Sequence, residues 1–251
     1  MNAAHTDAHD PQNTSADSQN SSAEAAASSL RGRIRPLPAE TDDETFLPFL
    51  DLCFNWSMDK PRIELEDLRH RSDAVFYFRD WGRDGDIAVA AHAEADAQSP
   101  IIGLAWVRLA DIDDVVGKAD ERVGGDFAAA LDKTGTEVVR SEVVTGDDAN
   151  AESSEPPADL TLSDDHVPFT GYGWVAADIP ELSMAVLPDH QGQGIGGALL
   201  DTVCALVRMS GFPAVSLSVE DGNGAAKLYA DHGFVSVGRN GDSDVLVRKL
   251  G

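Results

Sequence analysis

The residues best suited to chemistry in this chain crowd into one stretch, VLPDHQGQGIGGALL, residues 186–200. Glycine holds four of the six positions from Gly192 to Gly197. Successive glycines let the backbone approach a ligand closely and aim its amide N–H groups at it. A helix that opens on such a loop adds the positive end of its dipole. Pyrophosphate is the anion this arrangement suits. Gly192, Gly194 and Gly197 also fit G-x-G-x-x-G, with the acid Glu220 at the end of the next apolar run. That pattern admits a dinucleotide and an oxidoreductase. Two features oppose it: the chain ends soon after, in what reads as an antiparallel strand pair, and LPDHQ separates the preceding strand from the glycines.

The loop needs elements on both sides to hold it. ELSMAVL before it has the composition of a strand, and GIGGALLDTVCALVRMSG after it reads as a helix. Leu199, Val203, Leu206 and Val207 share one face of that helix, and Gly211 stops it. AVSLSVE alternates apolar and polar residues and reads as a strand. GAAKLYADHG reads as a helix ending at Gly233, and FVSVGR and DVLVRKL as two strands joined by NGDS. Upstream, Ile34 and Leu37 between prolines predict an edge strand. DDETFLPFLDLCFNW predicts a helix that tolerates Pro48 in its first turns. PRIELEDLRHR predicts a second helix opened by Pro61. DIAVAAHAEA and IIGLAWVRLA predict a hairpin, and YGWVAAD a further strand. The sum is one mixed α/β domain without internal repeats.

Two motifs in this order give the pattern a family. ELSMAVLPDHQGQGIGGALL resembles the acetyl-CoA-binding motif of the GNAT family of N-acetyltransferases, Q/R-x-x-G-x-G/A, at Gln191, Gly194 and Gly196. NGAAKLYADHGF resembles that family's second motif at Leu228, Tyr229, Gly233 and Phe234. The resemblance extends over about residues 30–110 and 171–251 and is strongest over 178–235. It implies a mostly antiparallel central sheet with two splayed strands, flanked by helices, and acetyl-CoA as co-substrate. It implies that Met184, Ala185 and Val186 meet the pantetheine arm. It further implies that Gln191, Gly192, Gln193, Gly194, Ile195, Gly196 and Gly197 hold the pyrophosphate. Asn223 is to cap the next helix and touch the arm; it lies six residues before Tyr229, where the family often has seven. Tyr229 takes the role of acid toward the leaving thiolate. Glu181, at the start of the strand that meets the thioester, is the first candidate base, with Glu220 the second and solvent the third. Trp56, Asp59, Arg79 and Trp81 are candidates for the acceptor pocket. The implied reaction is acetyl transfer to a primary amine of a small molecule or peptide, by direct attack in a ternary complex. A non-catalytic acyl-CoA sensor on the same fold is the third reading, beside the dinucleotide enzyme.

Composition sets the surroundings. The chain has 251 residues, with 19 Lys+Arg against 44 Asp+Glu, a net charge of -25. Residues 1–29 hold four acids and no base, and residues 111–170 hold 16 acids and 4 bases. Such a charge repels nucleic acid and anionic membranes and leans toward cationic amines. The first 29 residues have too little apolar surface to offset chain entropy and are expected to be a disordered tail. The GNAT domain is then expected over 30–251, interrupted over 111–170 by an acidic, partly disordered insertion, within which DERVGGDFAAALDK suggests a helix. Cys53 and Cys204 sit in apolar runs with no CxxC or Cys/His grouping, so neither a disulfide nor a metal site is expected. MNAAHTDAHDPQ lacks a basic region and an apolar run, so no signal peptide is expected, and no apolar run spans a bilayer. A cytoplasmic location is expected. The sequence does not fix the oligomeric state, a homodimer being one option.

Overall fold

The computed structural model describes residues 30, 32–110 and 169–251. The tail over 1–29, the body of the insertion and the helix suggested within it lie outside the described residues. Seven strands form one sheet: β1 (Ile34–Pro36), β2 (Ile87–His92), β3 (Ile101–Arg108), β4 (Glu181–Val186), β5 (Ala214–Glu220), β6 (Val235–Asn240) and β7 (Ser243–Lys249). Their spatial order is β1-β2-β3-β4-β5-β7-β6. Every neighbouring pair is antiparallel except β4 and β5. The fold is mixed α/β with a mostly antiparallel open sheet, as the sequence predicts. A doubly wound parallel sheet, which the dinucleotide reading requires, is absent among the described residues.

Helices cover both faces. On one face lies α4 (Ile195–Met209), with α5 (Ala225–Asp231) beside it. Ile195, Leu199, Leu200, Val203 and Val207 of α4 are buried against Val89, Ala105, Val107, Val215 and Leu217. Burying each such side chain is worth roughly 1.5–3 kcal/mol, so this stripe fixes α4 on the sheet. The other face is covered by α1 (Leu47–Phe54), α2 (Leu65–Leu68) and α3 (Ser72–Phe78). Phe46, Leu50, Leu68 and Tyr77 pack there on Ala88, Ala90, Leu104 and Trp106.

Two sequence expectations need correction, and one helix has no counterpart in the sequence reading. Pro61 does not open a helix. The helix starts at Leu65 behind Glu64 as cap residue, because PRIE has no apolar periodicity to bury. A third helix, α3, was not foreseen. Its run SDAVFYF is short and aromatic, and such a run suits a strand equally well; Tyr77 and Phe78 decide by filling the core. YGWVAAD is not a strand. The stretch crosses the sheet and lays Val175 and Ile179 on Ala214, Val237, Val245 and Val247. It caps the β5–β7–β6 half in place of a helix.

A buried ion pair stands at the far end of β3. Arg108 and Asp86 side chains are each 1% exposed. Arg108 donates to both Asp86 oxygens at 2.9 and 2.6 Å and to the carbonyls of Phe76, Arg79 and Asp80. All five guanidinium donors are therefore used. The guanidinium also lies 5.4 Å from the Trp81 ring centroid. The pair ties the end of α3 and its following turn to β3.

Candidate active site

β4 and β5 touch at one registered pair only, Glu181 with Ser216. The Ser216 amide donates to the Pro180 carbonyl at 3.1 Å. Beyond that point the strands separate. On the β3 side β4 stays fully paired through Val186, and the Leu187 amide still bonds Ile102. Strand alternation then turns the main-chain groups of Met184 and Val186 into the gap and those of Ala185 toward Leu104. By the same rule Ser218 and Glu220 line the β5 edge. The sheet is thus open as a wedge at the end where β4 runs into the glycine loop.

The loop itself is a nest of donors. Gly194 caps α4 with φ of 78°, and Gly192 has φ of 72°. Both lie in the left-handed region, which costs an L-residue roughly 1–2 kcal/mol. The first helical bond of α4 runs from the Ala198 amide to the Gly194 carbonyl. Among the described residues, no acceptor is bonded to the amides from Gly192 to Gly197. Ordinary helix starts satisfy one or two of these with a side chain, and here no side chain caps α4. Gly196 and Gly197 serve packing as well. A Cβ there would lie 3.3 Å from Leu228 and 3.1 Å from His232, both at α5.

Around the wedge stand the remaining sequence-nominated groups. Tyr229 is 8% exposed and belongs to the α4–α5 core, with its ring against Phe234 at 5.7 Å. Burial pushes its phenol well above its ordinary range, with a smaller contribution from Cys53. No hydrogen bond to its hydroxyl forms among the described residues. Cys53 sits on α1, on the opposite face of the sheet, and its thiol donates to the Met184 carbonyl at 3.4 Å. Burial pushes the Cys53 thiol up to about 12, so it is no thiolate at neutral pH. Its thiol was read from sequence only as a packed group; nothing in the spacing signals that it reaches a carbonyl 131 residues away.

The two candidate carboxylates lie at opposite ends of the wedge. Glu181 is at the closed end, 5% exposed. Its Oε1 accepts from the Tyr77 hydroxyl at 2.9 Å and the Gly173 amide at 2.8 Å. Tyr77 in turn accepts from the Tyr172 amide at 3.0 Å. Glu181 thereby fastens the returning segment 171–173 to β4. Gly173 is required there, since a Cβ would lie 2.5 Å from the Leu217 carbonyl carbon. At about 3.3 Å per residue, Ala185 stands roughly 13 Å further along β4. Glu220, by contrast, is at the open end. Its Oε2 accepts from Trp56 Nε1 at 3.1 Å and from Lys60 Nζ at 2.5 Å. Of the other acceptor candidates, Asp59 is exposed. Trp81 stacks on Phe46 at 4.3 Å, and Arg79 bonds the Arg69 carbonyl; both attach to the α1–α3 layer.

Residues 161–236 match the family described as Acetyltransferase (GNAT) domain. Over that segment the chain is similar to GNAT acetyltransferases. The matched segment includes β4, the glycine loop, α4, β5 and α5. No curated protein matches the chain in sequence. Among solved structures, an acetyltransferase of the GNAT family from Staphylococcus aureus Mu50 is 13% identical, with TM-score 0.47, covering 87% of this chain and 99% of that one. The PaiA N-acetyltransferase from Thermoplasma acidophilum, in complex with coenzyme A, is 15% identical, with TM-score 0.48, covering 86% and 97%. The GNAT domain of S. lividans PAT is 16% identical, with TM-score 0.46, covering 86% and 89%. Likenesses of that size add no residue role to this one.

Within the matched segment, two nominated side chains bond to the loop's own backbone. Gln191 Nε2 donates to the Val186 carbonyl at 2.9 Å, which leaves the Val186 amide to face the gap. Gln193 bonds the Asp189 carbonyl at 3.3 Å. Asn223 Oδ1 accepts from the Ala225 amide at 2.9 Å and so caps α5. A β-branched residue is a poor fit to a left-handed backbone. Gly194→Val is accordingly expected to weaken coenzyme A binding by about tenfold or more, read by calorimetry, since a 1.4 kcal/mol distortion of the donor nest already has that effect.

Proposed function

We propose that this chain transfers an acetyl group from acetyl-CoA to a primary amine of a small molecule or peptide, by direct attack with both substrates bound. The observation that carries the reading is the pairing of one wedge with one nest: β4 and β5 share a single ladder pair, and among the described residues the amides from Gly192 to Gly197 are without acceptors where the wedge opens. The residues fit the group. The nest suits a diphosphate, and the edges at Met184, Val186, Ser218 and Glu220 suit an extended amide-bearing arm. Acetyl-CoA, when bound, supplies an activated acyl thioester.

The chain's own residues do the rest. The Gly192–Gly197 amides and the α4 dipole hold negative charge. Tyr229 keeps its proton at neutral pH and donates a hydrogen bond to the leaving sulfur. Glu220 takes the place of carboxylate for the amine, because it faces the open end of the wedge. Glu181 acts as a positioning residue that holds 171–173 in place. A carboxylate at the open end suits a cationic amine. The inert Cys53 thiol supports direct attack over an acyl-enzyme. We place the domain over 30–251, with 111–170 as an insertion and 1–29 as a tail, and the protein in the cytoplasm.

The deciding experiment is calorimetry of the full chain with acetyl-CoA and separately with NAD, followed by thiol release over a panel of amines. Saturable acetyl-CoA binding and amine-dependent release are expected. Binding of NAD without acetyl-CoA would end the proposal; acetyl-CoA binding without release on any amine would leave a sensor in its place.

A further inference from the structure

We propose that Lys60 is a self-acetylation site of this chain. The inference rests on the acetyl-transfer reading above and adds an acceptor that the chain itself carries. β4 and β5 diverge from the pair Glu181–Ser216. Four residues onward along each strand come Ala185 and Glu220, so the Glu220 carboxylate stands level with the part of β4 whose neighbours Met184 and Val186 face the gap. Glu220 lies on the α1 side of the sheet, the side away from α4 and the glycine nest. An amine arriving from that side meets Glu220 first.

A primary alkylamine is already there. Lys60 Nζ lies 2.5 Å from Glu220 Oε2 and 3.2 Å from Asp242 Oδ2. Trp56, from the same loop, donates to the same Glu220 oxygen. Lys60 thus occupies the position in which a substrate ammonium would be held. Its side chain is 52% exposed, so it is free to swing on its four-carbon stem. The loop that carries it runs from Asn55 to Glu64 and is tied at its ends, Asn55 to Ile63 through paired bonds of 2.9 and 2.8 Å.

The step balances. The Lys60 ammonium gives one proton to Glu220, its lone pair forms an N–C bond to the acyl carbon, and the C–S bond breaks. The sulfur leaves as thiolate, held by the Tyr229 hydroxyl, and takes up the second proton that nitrogen loses as the amide forms; Glu220 returns the first to solvent. The products are acetyl-lysine at position 60 and free coenzyme A; no oxidant or further reactant is needed. The product is uncharged, so the ion pairs to Glu220 and Asp242 are lost, and the seat opens to other amines.

The test uses the full chain with acetyl-CoA and no added amine, with acetylation followed site by site by peptide mass. Lys60 is expected to react about tenfold or more faster than Lys227, as proximity requires. Lys227 is 82% exposed and, among the described residues, pairs with Asp231 alone. The rate should not depend on protein concentration, and Tyr229→Phe should slow it. In Lys60→Arg the label at this position disappears. A second arm needs no acetyl-CoA: an amine-reactive reagent should label Lys60 several-fold faster in Glu220→Gln than in the parent, with Lys227 unchanged. Acetyl-CoA binding and amine turnover with Lys60 no more acetylated than Lys227 would overturn the inference and leave the enzyme reading intact. Failure to bind acetyl-CoA would overturn both, and an unaltered labelling rate in Glu220→Gln would remove the seat itself.

Discussion

Tyr229→Phe is expected to lower kcat for acetyl transfer by about 100-fold, the size seen when a single donor to developing negative charge is removed. The affinity for coenzyme A should stay within about twofold, because the proposed seat of the diphosphate is the Gly192–Gly197 amides and not this side chain. Tyr229 lies on α5 inside the α4–α5 core, next in sequence to Leu228, which packs against Gly196 of the glycine loop. Burial raises its pKa, so the phenol stays protonated through neutral and mildly alkaline pH. A hydrogen bond to sulfur is then its contribution, since full proton release to a thiolate near 8.5 would run uphill. Stopped-flow or steady-state thiol release with a saturating amine measures the effect. A change below about threefold would make Tyr229 a packing residue like Phe234.

Arg108→Ala should destabilise the fold by about 3–5 kcal/mol, the cost of leaving a buried charge without its partner. Asp86 would keep its carboxylate at 1% exposure, and the carbonyls of Phe76, Arg79 and Asp80 would lose their donor. Denaturant titration reads the loss. Asp86→Asn should cost less than Arg108→Ala, because the amide can still accept one of the two bonds. Replacing both residues with apolar ones of similar volume should recover part of the stability, as buried pairs often allow. A cost under about 1 kcal/mol for Arg108→Ala would mean that water reaches the site freely.

Much of this arrangement is legible in the sequence. The order of strands and the two helices after residue 180 follow from alternation and glycine stops, which depend on neighbours close in the chain. β1, α1 and the β2–β3 hairpin follow for the same reason. The misreadings, and the one helix left unread, share a cause. YGWVAAD has strand composition but covers a sheet face. SDAVFYF has no polar alternation to separate helix from strand, and PRIE has a proline that marks a turn without opening a helix. In each, packing against distant residues decides the outcome. The site divides the same way. The glycine nest and Tyr229 are local motifs. The burial of Glu181 by Tyr77, and the capture of Glu220 by Trp56 and Lys60, join residues 104, 164 and 160 positions apart. No spacing rule reaches across such separations.

The lone rung between β4 and β5 bears on how the molecule behaves without a ligand. It leaves the sheet as two plates, β1–β4 and β5–β7, held by one ladder contact, by α4 lying across both and by the clasp of Glu181 on 171–173. A slender molecule inserted along the seam would supply the missing rungs. Occupancy would therefore stiffen the whole sheet, and the empty protein would breathe most along that line.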